Sequence, residues 1–295
     1  MQNKAIVLVG PTGSHKTQLA TVIARKFNGA IINADAFQVY QEIKIGTNKT
    51  DANQLKPVPI YNNDCISIFA EWSIKHFQTY TQQLLLDLLN KKQLPIIVGG
   101  SNLYVDALIY QYDLNFAKRN EQFTELSNEE LFAKLSVLDP LRAQKITSNN
   151  RSRLIRALQL LMGGHQLTKR SQSSLQYLVI VCDYHSRSEL YEQINHNVEK
   201  MFKQGWVDEI KHLLEQYPYE QLCNLNAFKA IGYREILQAL HEGIEPDVAK
   251  IAQKTRNYAK RQQTWNKHHY PDAIYFWQDN RDDILEQVKQ FLHGN

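Results

Sequence analysis

Cysteine is scarce in this chain, and long apolar runs are missing from it. The three cysteines, Cys65, Cys182 and Cys223, are scattered and form no C-x-x-C pair, so the sequence suggests neither a zinc site nor a disulfide framework. No apolar run approaches the roughly 20 residues that span a bilayer, and the N-terminus enters a strand without a signal-peptide hydrophobic region. We therefore expect no membrane association and a cytoplasmic location.

A strong excess of charge is also lacking. The 295 residues carry 34 Lys and Arg against 30 Asp and Glu, a net charge of +4. Binding to a nucleic acid would therefore depend on a local basic patch rather than on bulk charge. The length is enough for one large domain or for a domain that carries an insertion.

The segment from Val7 to Thr17 is the most informative stretch of the sequence. An apolar strand runs into a Gly-rich turn, and a Lys-Thr pair follows at the start of a helix, which predicts a phosphate-binding loop. We expect Lys16 to supply a point charge for a terminal phosphate and the Thr17 hydroxyl to ligate Mg²⁺. His15 occupies the place of the second glycine in the G-x-x-x-x-G-K-[ST] pattern, so a chance Gly-rich turn is the alternative. The predicted loop consists of Gly10, Pro11, Thr12, Gly13, Ser14, His15, Lys16 and Thr17.

Apolar strands alternate with helices along most of the chain, which favours a parallel sheet with right-handed crossovers. The predicted strands include Ala5–Val9, Ala30–Asn33, Pro95–Val98, Leu178–Cys182 and Ala273–Phe276. Between about residues 112 and 176 the strand pattern disappears, and polar helices followed by Gly163-Gly164 predict a helical insertion. We therefore predict an α/β fold. It has a P-loop NTPase-like parallel sheet core with C-terminal helices (residues 1–111 and 177–295) and a helical insertion domain (residues 112–176).

Two aspartates follow predicted strands. Asp35 lies at the sheet edge where open α/β sheets bind ligands, and three roles remain open for it: general base, magnesium ligand or helix cap. Asp183 follows the strand of residues 178–182, so a Walker-B role is one interpretation. Its distance along the chain from the loop favours a structural role instead.

Basic residues cluster in two segments. The segment Lys250–Lys267 carries six of them, no acidic residue and two interleaved aromatics, Tyr258 and Trp265. Basic residues with aromatics are typical of surfaces that bind phosphates and splayed bases, and a solvated helix face with buried aromatics is the alternative. A second cluster lies in the predicted insertion. Its members are Arg151, Arg153 and Arg156. Two such clusters in a nearly neutral chain favour a polyanionic partner.

Taken together, these segments resemble one family. The motifs are Gly-Pro-Thr…Lys-Thr, then Asp35-x-x-Gln38-Val39-Tyr40 with Ile45-Gly46-Thr47, Val98-Gly99-Gly100-x-x-Leu103-Tyr104, Asp139-Pro140…Arg153…Arg156-Ala157-Leu158, Ala230-Ile231-Gly232-Tyr233 and Thr255-Arg256-x-Tyr258-Ala259-Lys260-Arg261-Gln262-x-Thr264-Trp265. In this order they are similar to the motifs of the tRNA dimethylallyltransferases of the IPP transferase family. The resemblance is collinear from about residue 4 to residue 267.

The resemblance implies transfer of a dimethylallyl group from dimethylallyl diphosphate to the exocyclic amine of the adenosine 3′-adjacent to the anticodon in tRNA, with Mg²⁺ at the diphosphate. By the same resemblance Asp35 accepts the amine proton, Thr12 contacts the diphosphate near the reacting carbon, and the insertion clamps the anticodon stem-loop. We expect a monomer. The residues implied to contact the tRNA are Asp35, Ala36, Phe37, Gln38, Ser101, Ser152, Arg153, Leu154, Ile155 and Arg156.

The sequence departs from the family pattern at several positions. Gln193 and Asn197 stand where the family has arginines near the leaving group, and Asn150 stands for an aspartate. At His15 two effects oppose each other: crowding of the loop backbone, and an imidazolium charge that compensates for Asn197. These departures keep open a divergent homologue that binds tRNA with impaired transfer. A P-loop small-molecule kinase is a further alternative, against which stand the missing Arg-rich lid and the motif at residues 255–265.

Overall fold

A single parallel sheet organises the larger part of the molecule. A computed structural model describes residues 3–114, 123, 125–162 and 174–294. The six strands of the sheet follow the order β3-β2-β4-β1-β5-β6, and every neighbouring pair is parallel. The predicted P-loop-like parallel α/β fold is therefore confirmed. The strands are β1 (Lys4–Val9), β2 (Gly29–Asn33), β3 (Ile60–Tyr61), β4 (Leu94–Val98), β5 (Gln176–Cys182) and β6 (Ile274–Phe276).

Helices connect and cover the strands. Ser73 caps α3, since its side chain accepts a hydrogen bond from the His76 N–H. Gly232, with a φ of 91°, directly precedes α11. The helices are α1 (Lys16–Lys26), α2 (Ala52–Leu55), α3 (Ile74–Asn90), α4 (Asn102–Ile109), α5 (Asn128–Leu138), α6 (Pro140–Ala143), α7 (Arg151–Met162), α8 (Arg187–Lys203), α9 (Trp206–Gln216), α10 (Tyr219–Leu222), α11 (Tyr233–Glu242), α12 (Val248–His269) and α13 (Arg281–His293).

The centre of the sheet is fully apolar. Every residue from Ala5 to Val9 is 0% exposed, as expected for a parallel strand with neighbours on both sides and helices over the sheet. Ile6 and Leu8 belong to a core that also contains residues of α1 and α13. The buried β1 fixes the place where the Gly-rich loop begins.

A second core surrounds Trp206, at the start of α9. A Cβ added to Gly46 or to Gly232 would lie 2.0 Å from the Trp206 ring, so only glycine allows the close approach at these two positions. Tyr233 packs edge-on against the same ring and donates a hydrogen bond to Glu209, whose other carboxylate oxygen accepts from the N–H groups of residues 44 and 45. This packing holds the segment that follows Asp35.

The chain divides into two compact units, Met1–Ile109 with Ser173–Asn295, and Tyr110–Gln172. The smaller unit contains α5, α6 and α7 and has its own apolar core, formed by Leu131, Leu135, Leu154 and Leu158 with their neighbours. The predicted Gly163-Gly164 stop lies outside the described residues. Among the helices of the described chain, none combines the length and apolar character needed to cross a membrane.

Candidate functional site

The phosphate loop follows β1 directly and contains three residues with positive φ. Gly10 has a φ of 150° and Gly13 one of 84°, and His15 adopts the left-handed conformation with a φ of 57°. A Cβ on Gly10 would lie 2.1 Å from the Cys182 carbonyl oxygen, so the loop passes too close to β5 for any larger residue. The loop therefore has the tight, glycine-dependent path that the sequence predicts, with a histidine in its third left-handed place.

Lys16 lies across the loop that it follows. Its Nζ donates to the carbonyl oxygens of Gly10 (3.1 Å) and Pro11 (2.6 Å). Burial lowers the pKa of Lys16, and the negative charges of Asp35 and Asp183 oppose this shift. The ammonium group is thus held over the loop by backbone oxygens, where a bound anion would meet it.

His15 is hydrogen-bonded away from solvent by a tyrosine at the end of β5. The Tyr184 hydroxyl lies 2.7 Å from His15 Nε2 and donates to the Gly13 carbonyl oxygen at 3.0 Å. Burial, followed by the nearby Lys16 charge, lowers the pKa of His15 below its ordinary value. Burial and the Lys16 charge thus both disfavour the imidazolium, which weighs against the hypothesis that its charge compensates for Asn197.

One residue separates Asp35 from the end of β2, and the Asp35 backbone lies at the same edge of the sheet as the phosphate loop. Its Oδ1 accepts hydrogen bonds from the N–H groups of Phe37 (2.9 Å) and Gln38 (3.3 Å), so the carboxylate also caps the turn that follows. In the part of the chain that the structure describes, Oδ2 has no hydrogen-bond partner. Burial raises the pKa of Asp35, and the two N–H groups, Lys16 and Lys49 oppose the rise. A carboxylate with a raised pKa is a stronger proton acceptor than an exposed one.

The implied tRNA-contact residues of the larger unit form a connected group. Ser101 Oγ accepts a hydrogen bond from the Ala36 N–H at 2.9 Å, which joins the turn after β4 to the turn after β2. The Gln38 amide accepts from Asn33 Nδ2 at 2.8 Å and donates to the Thr47 carbonyl at 2.9 Å. The structure therefore brings the stretch from Asp35 to Gln38 and Ser101 together.

Gln262 links the phosphate loop to the turn after β4, a role that our sequence reasoning missed. Its Oε1 accepts from the Thr12 N–H at 3.0 Å, and its Nε2 donates to the Gly100 carbonyl at 2.8 Å. The Gly100 carbonyl also accepts from the Tyr258 hydroxyl at 3.0 Å. The side chain is only 3% exposed. A polar residue on the buried face of α12 was the available signal, but sequence spacing alone names no partner on the loop.

The aromatic residues of α12 point into the protein. Tyr258 bonds Gly100, and Trp265 Nε1 donates to Asp106 at 3.2 Å. These hydrogen bonds favour the alternative of a solvated helix face with packed aromatics, and the stacking of the two rings on splayed bases stays a prediction. The basic residues divide: Lys254 pairs with Glu235, while Lys260, Arg261 and Lys267 are exposed.

In the smaller unit, α7 presents its predicted contact residues in different ways. Ser152 and Arg153 are exposed, and Arg156 is partly buried. Leu154 is 0% exposed and belongs to the core of this unit. This corrects the prediction that its side chain contacts the tRNA directly, because the side chain instead packs α7 against the core. Ile155 packs partly against the same core.

The positions that depart from the family pattern keep part of their local function. Asn150 Oδ1 accepts from the Arg153 N–H at 3.3 Å, which caps the start of α7. Asn197 lies beside the phosphate loop, since a Cβ on Gly13 would come within 3.2 Å of its Nδ2. Gln193 donates to Asn197 Oδ1 at 2.9 Å. A neutral amide pair therefore occupies the flank of the loop where the family pattern has arginines.

Asp183 serves the structure of the same edge. Its carboxylate accepts from Gln263 Nε2 at 3.0 and 3.1 Å, and Oδ1 also accepts from the Tyr184 N–H at 2.9 Å. These contacts fix the turn that carries Tyr184 and agree with the favoured structural role.

The sheet order, the loop after its central strand and the acidic residue after β2 define a P-loop-like α/β protein. The IPP transferase family model matches residues 38–269, and an isopentenyl transferase model matches residues 3–64. The chain belongs to the IPP transferase family.

Named relatives and solved structures agree with this assignment. The chain is 36% identical to the tRNA dimethylallyltransferase of Malacoplasma penetrans, over 99% of both chains. The crystal structure of the full-length tRNA isopentenylpyrophosphate transferase from Bacillus halodurans is similar with a TM-score of 0.74 and 28% identity, covering 99% of this chain and 97% of that one. Crystallographic snapshots of a eukaryotic dimethylallyltransferase acting on tRNA give a TM-score of 0.82 at 24% identity, covering 99% of this chain and 80% of that one. At this identity the likeness shows the fold alone.

Proposed function

We propose that this chain transfers a dimethylallyl group from dimethylallyl diphosphate to the exocyclic amine of the adenosine 3′-adjacent to the anticodon in tRNA. One observation carries the proposal most directly: the phosphate loop and the Asp35 turn lie at the same edge of one sheet. The donor diphosphate and the proton acceptor of the reaction would thus be held at the ends of β1 and β2, two strands that only β4 separates. Relatives of this chain carry the corresponding name.

The reaction needs one bond made, one bond broken and one proton removed. The amine nitrogen forms a bond to the first carbon of the prenyl chain, while the bond from that carbon to the diphosphate oxygen breaks. The diphosphate leaves with the electron pair of the broken bond, and the amine proton passes to the Asp35 carboxylate. The raised pKa of Asp35 suits it to this step.

The loop stabilises the departing diphosphate. Lys16 supplies a positive charge, and the backbone N–H groups around the left-handed residues of the loop and the start of α1 provide hydrogen-bond donors. The Thr12 N–H is engaged by Gln262, so Thr12 would act through its hydroxyl near the reacting carbon.

A divalent cation fits this site in the way that Mg²⁺ usually binds phosphates. The described residues contain no cluster of three or more His, Cys, Asp or Glu that would hold a metal by themselves. Mg²⁺ needs no such cluster, because it keeps several waters and takes few protein ligands beside the phosphate oxygens. Thr17 would hold it, and when bound it would neutralise charge on the leaving diphosphate.

The tRNA would be bound by two separate sets of residues. Asp35 to Gln38 would hold the adenine after it leaves its stack, with Ser101 as a further tRNA contact beside them. The exposed Ser152 and Arg153 of α7 would contact the anticodon stem-loop together with Arg156. Exposed arginine suits phosphate contacts, which fix register rather than sequence.

The test is nucleoside mass spectrometry. Unmodified tRNA is incubated with the protein, dimethylallyl diphosphate and Mg²⁺, and we expect one adenosine next to the anticodon to gain the mass of a dimethylallyl group. An anticodon stem-loop whose target adenosine is replaced by guanosine is the matched control and should gain none. Modification at another position, or phosphorylation of a small molecule from ATP, would contradict the proposal.

A second candidate is a homologue that binds tRNA with impaired transfer. The neutral Asn197 and Gln193 pair beside Gly13 favours it, because a missing charge at a leaving group slows its departure. The outcome that supports it is tRNA binding of ordinary strength with transfer that is restored by Asn197→Arg.

A further inference from the structure

The loop residue that departs most from the family pattern makes a specific contact. His15 replaces a glycine in a left-handed turn, a conformation that L-residues other than Asn, Asp and His rarely adopt. The conformation is nonetheless less favourable for histidine than for glycine, so contacts that hold the segment would stabilise it. Gln18 of α1 hydrogen-bonds the His15 side chain, and Tyr184 contacts the segment through a hydroxyl that bonds both of its ends, Gly13 and His15.

The hydrogen-bond roles in this contact follow from the groups themselves. The Gly13 carbonyl can only accept, so the single proton of the Tyr184 hydroxyl points to it. Nε2 of His15 must then be the donor to the tyrosine oxygen. One hydroxyl thus satisfies a backbone group and a side chain two residues apart, and it closes a small ring that includes the left-handed residue.

Tyr184 is itself firmly placed. Its ring packs against a buried cluster of Leu190 and Ile194 of α8 and Ala259 of α12. Its N–H is bonded to Asp183, whose carboxylate is held by Gln263. The hydroxyl is therefore presented to the loop from two helices and the end of β5.

We propose that Tyr184 is a positioning residue for the phosphate loop, which braces His15 in the left-handed turn that a glycine would adopt unaided. The inference rests on the proposed function, because the braced loop is the one assigned to the diphosphate. Without the brace, the segment from Gly13 to His15 samples other conformations, and only the fraction with the correct turn binds diphosphate. The apparent affinity falls in proportion to that fraction.

The proposal predicts a coupling between the two positions. Tyr184→Phe removes both hydrogen bonds and should weaken binding of inorganic pyrophosphate about fivefold, the effect of losing a neutral hydrogen bond of ordinary strength. In the His15→Gly background the turn needs no brace, so the same change should cost less than about twofold. His15→Gly alone should bind at least as tightly as the unchanged protein.

The experiment is a double-variant cycle measured by isothermal titration of pyrophosphate with Mg²⁺. Tyr275→Phe is the matched control, since it removes a hydroxyl from a partly buried tyrosine of β6 that makes no hydrogen bond to the loop within the described residues. In transfer assays Tyr184→Phe should raise the KM for dimethylallyl diphosphate and leave kcat within about twofold. A purely structural tyrosine would lower the melting temperature equally in both backgrounds and give additive affinities, which would overturn the proposal.

A second comparison tests the proposal without altering Tyr184. His15→Ala keeps the Cβ but loses the brace, so it should bind pyrophosphate about fivefold more weakly than the unchanged protein. Equal affinity of His15→Ala and the unchanged protein would overturn the proposal. Failure of the proposed function would give a different result. Pyrophosphate binding would still show the coupling between positions 15 and 184, but the protein would transfer no dimethylallyl group, which would contradict only the proposed reaction.

Discussion

The phosphate-loop edge of the sheet and the surface of α7 are built on opposite principles. At the sheet edge, partly buried ionisable groups face one another, and the pKa values of Asp35, Asp183 and Lys16 are all moved from their ordinary range. On α7 the predicted contact residue Arg153 is exposed to solvent. The first region depends on the placement of individual atoms, and the second depends on the number of charges that it presents.

Removing the proton acceptor should have the largest effect of any single change. We expect Asp35→Asn to lower the transfer rate about a hundredfold or more, because the amide keeps the shape and cannot accept the proton. The affinity for tRNA should stay within a few-fold, measured by filter binding of an anticodon stem-loop. A variant that retains most of its transfer rate would remove Asp35 from the role of base.

Cutting the link between loop and neighbouring turn should have an intermediate effect. Gln262→Leu leaves the Thr12 N–H without its acceptor, which should lower the free energy of unfolding by about 1–3 kcal/mol. We expect the KM for dimethylallyl diphosphate to rise as well, since Thr12 belongs to the loop. Gln253→Leu, at an exposed position of the same helix, is the control and should leave Thr12 in place. Equal KM values in the two variants would separate Gln262 from the loop.

Neutralising the exposed helix should change binding and leave the chemistry alone. Arg153→Gln with Arg156→Gln should weaken tRNA binding and reduce the slope of log affinity against log salt by up to about two. Pyrophosphate binding should not change, because the phosphate loop belongs to the other unit. If the salt slope is unaltered, these arginines serve packing within the smaller unit.

The pH dependence of transfer should show the smallest of these effects, and it tests the surroundings of the Asp35 carboxylate. Burial raises the pKa of Asp35, so the carboxylate is protonated at a higher pH than an exposed aspartate, and the rate should fall as the pH falls through that value. The positive charge of Lys49 opposes this rise. Lys49→Gln should therefore move the acidic limb of the rate profile to higher pH, and an unmoved limb would mean that another group sets it.

The sequence was enough to predict the parallel strands, the loop and the acidic residue after β2, because each depends on a local pattern of apolar residues and turns. Contacts between distant segments were beyond it. Gln262 reaches Thr12 across 250 positions, and Tyr184 reaches His15 across 169. Leu154 shows a different error, in which a buried side chain is predicted to contact the tRNA. A motif shared with a family identifies a segment, but it does not show which side chains of that segment point into the core.

The place of β1 in the sheet also sets the order in which the chain can fold. β1 pairs with β4 on one side and with β5 on the other, and β5 begins only at Gln176, after the whole smaller unit. During synthesis, the strand that carries the phosphate loop therefore keeps one row of backbone N–H and C=O groups unpaired until the smaller unit has emerged. Such an apolar open edge invites pairing with other chains. A fragment that ends at residue 109 should consequently aggregate, although it contains every residue of the phosphate loop.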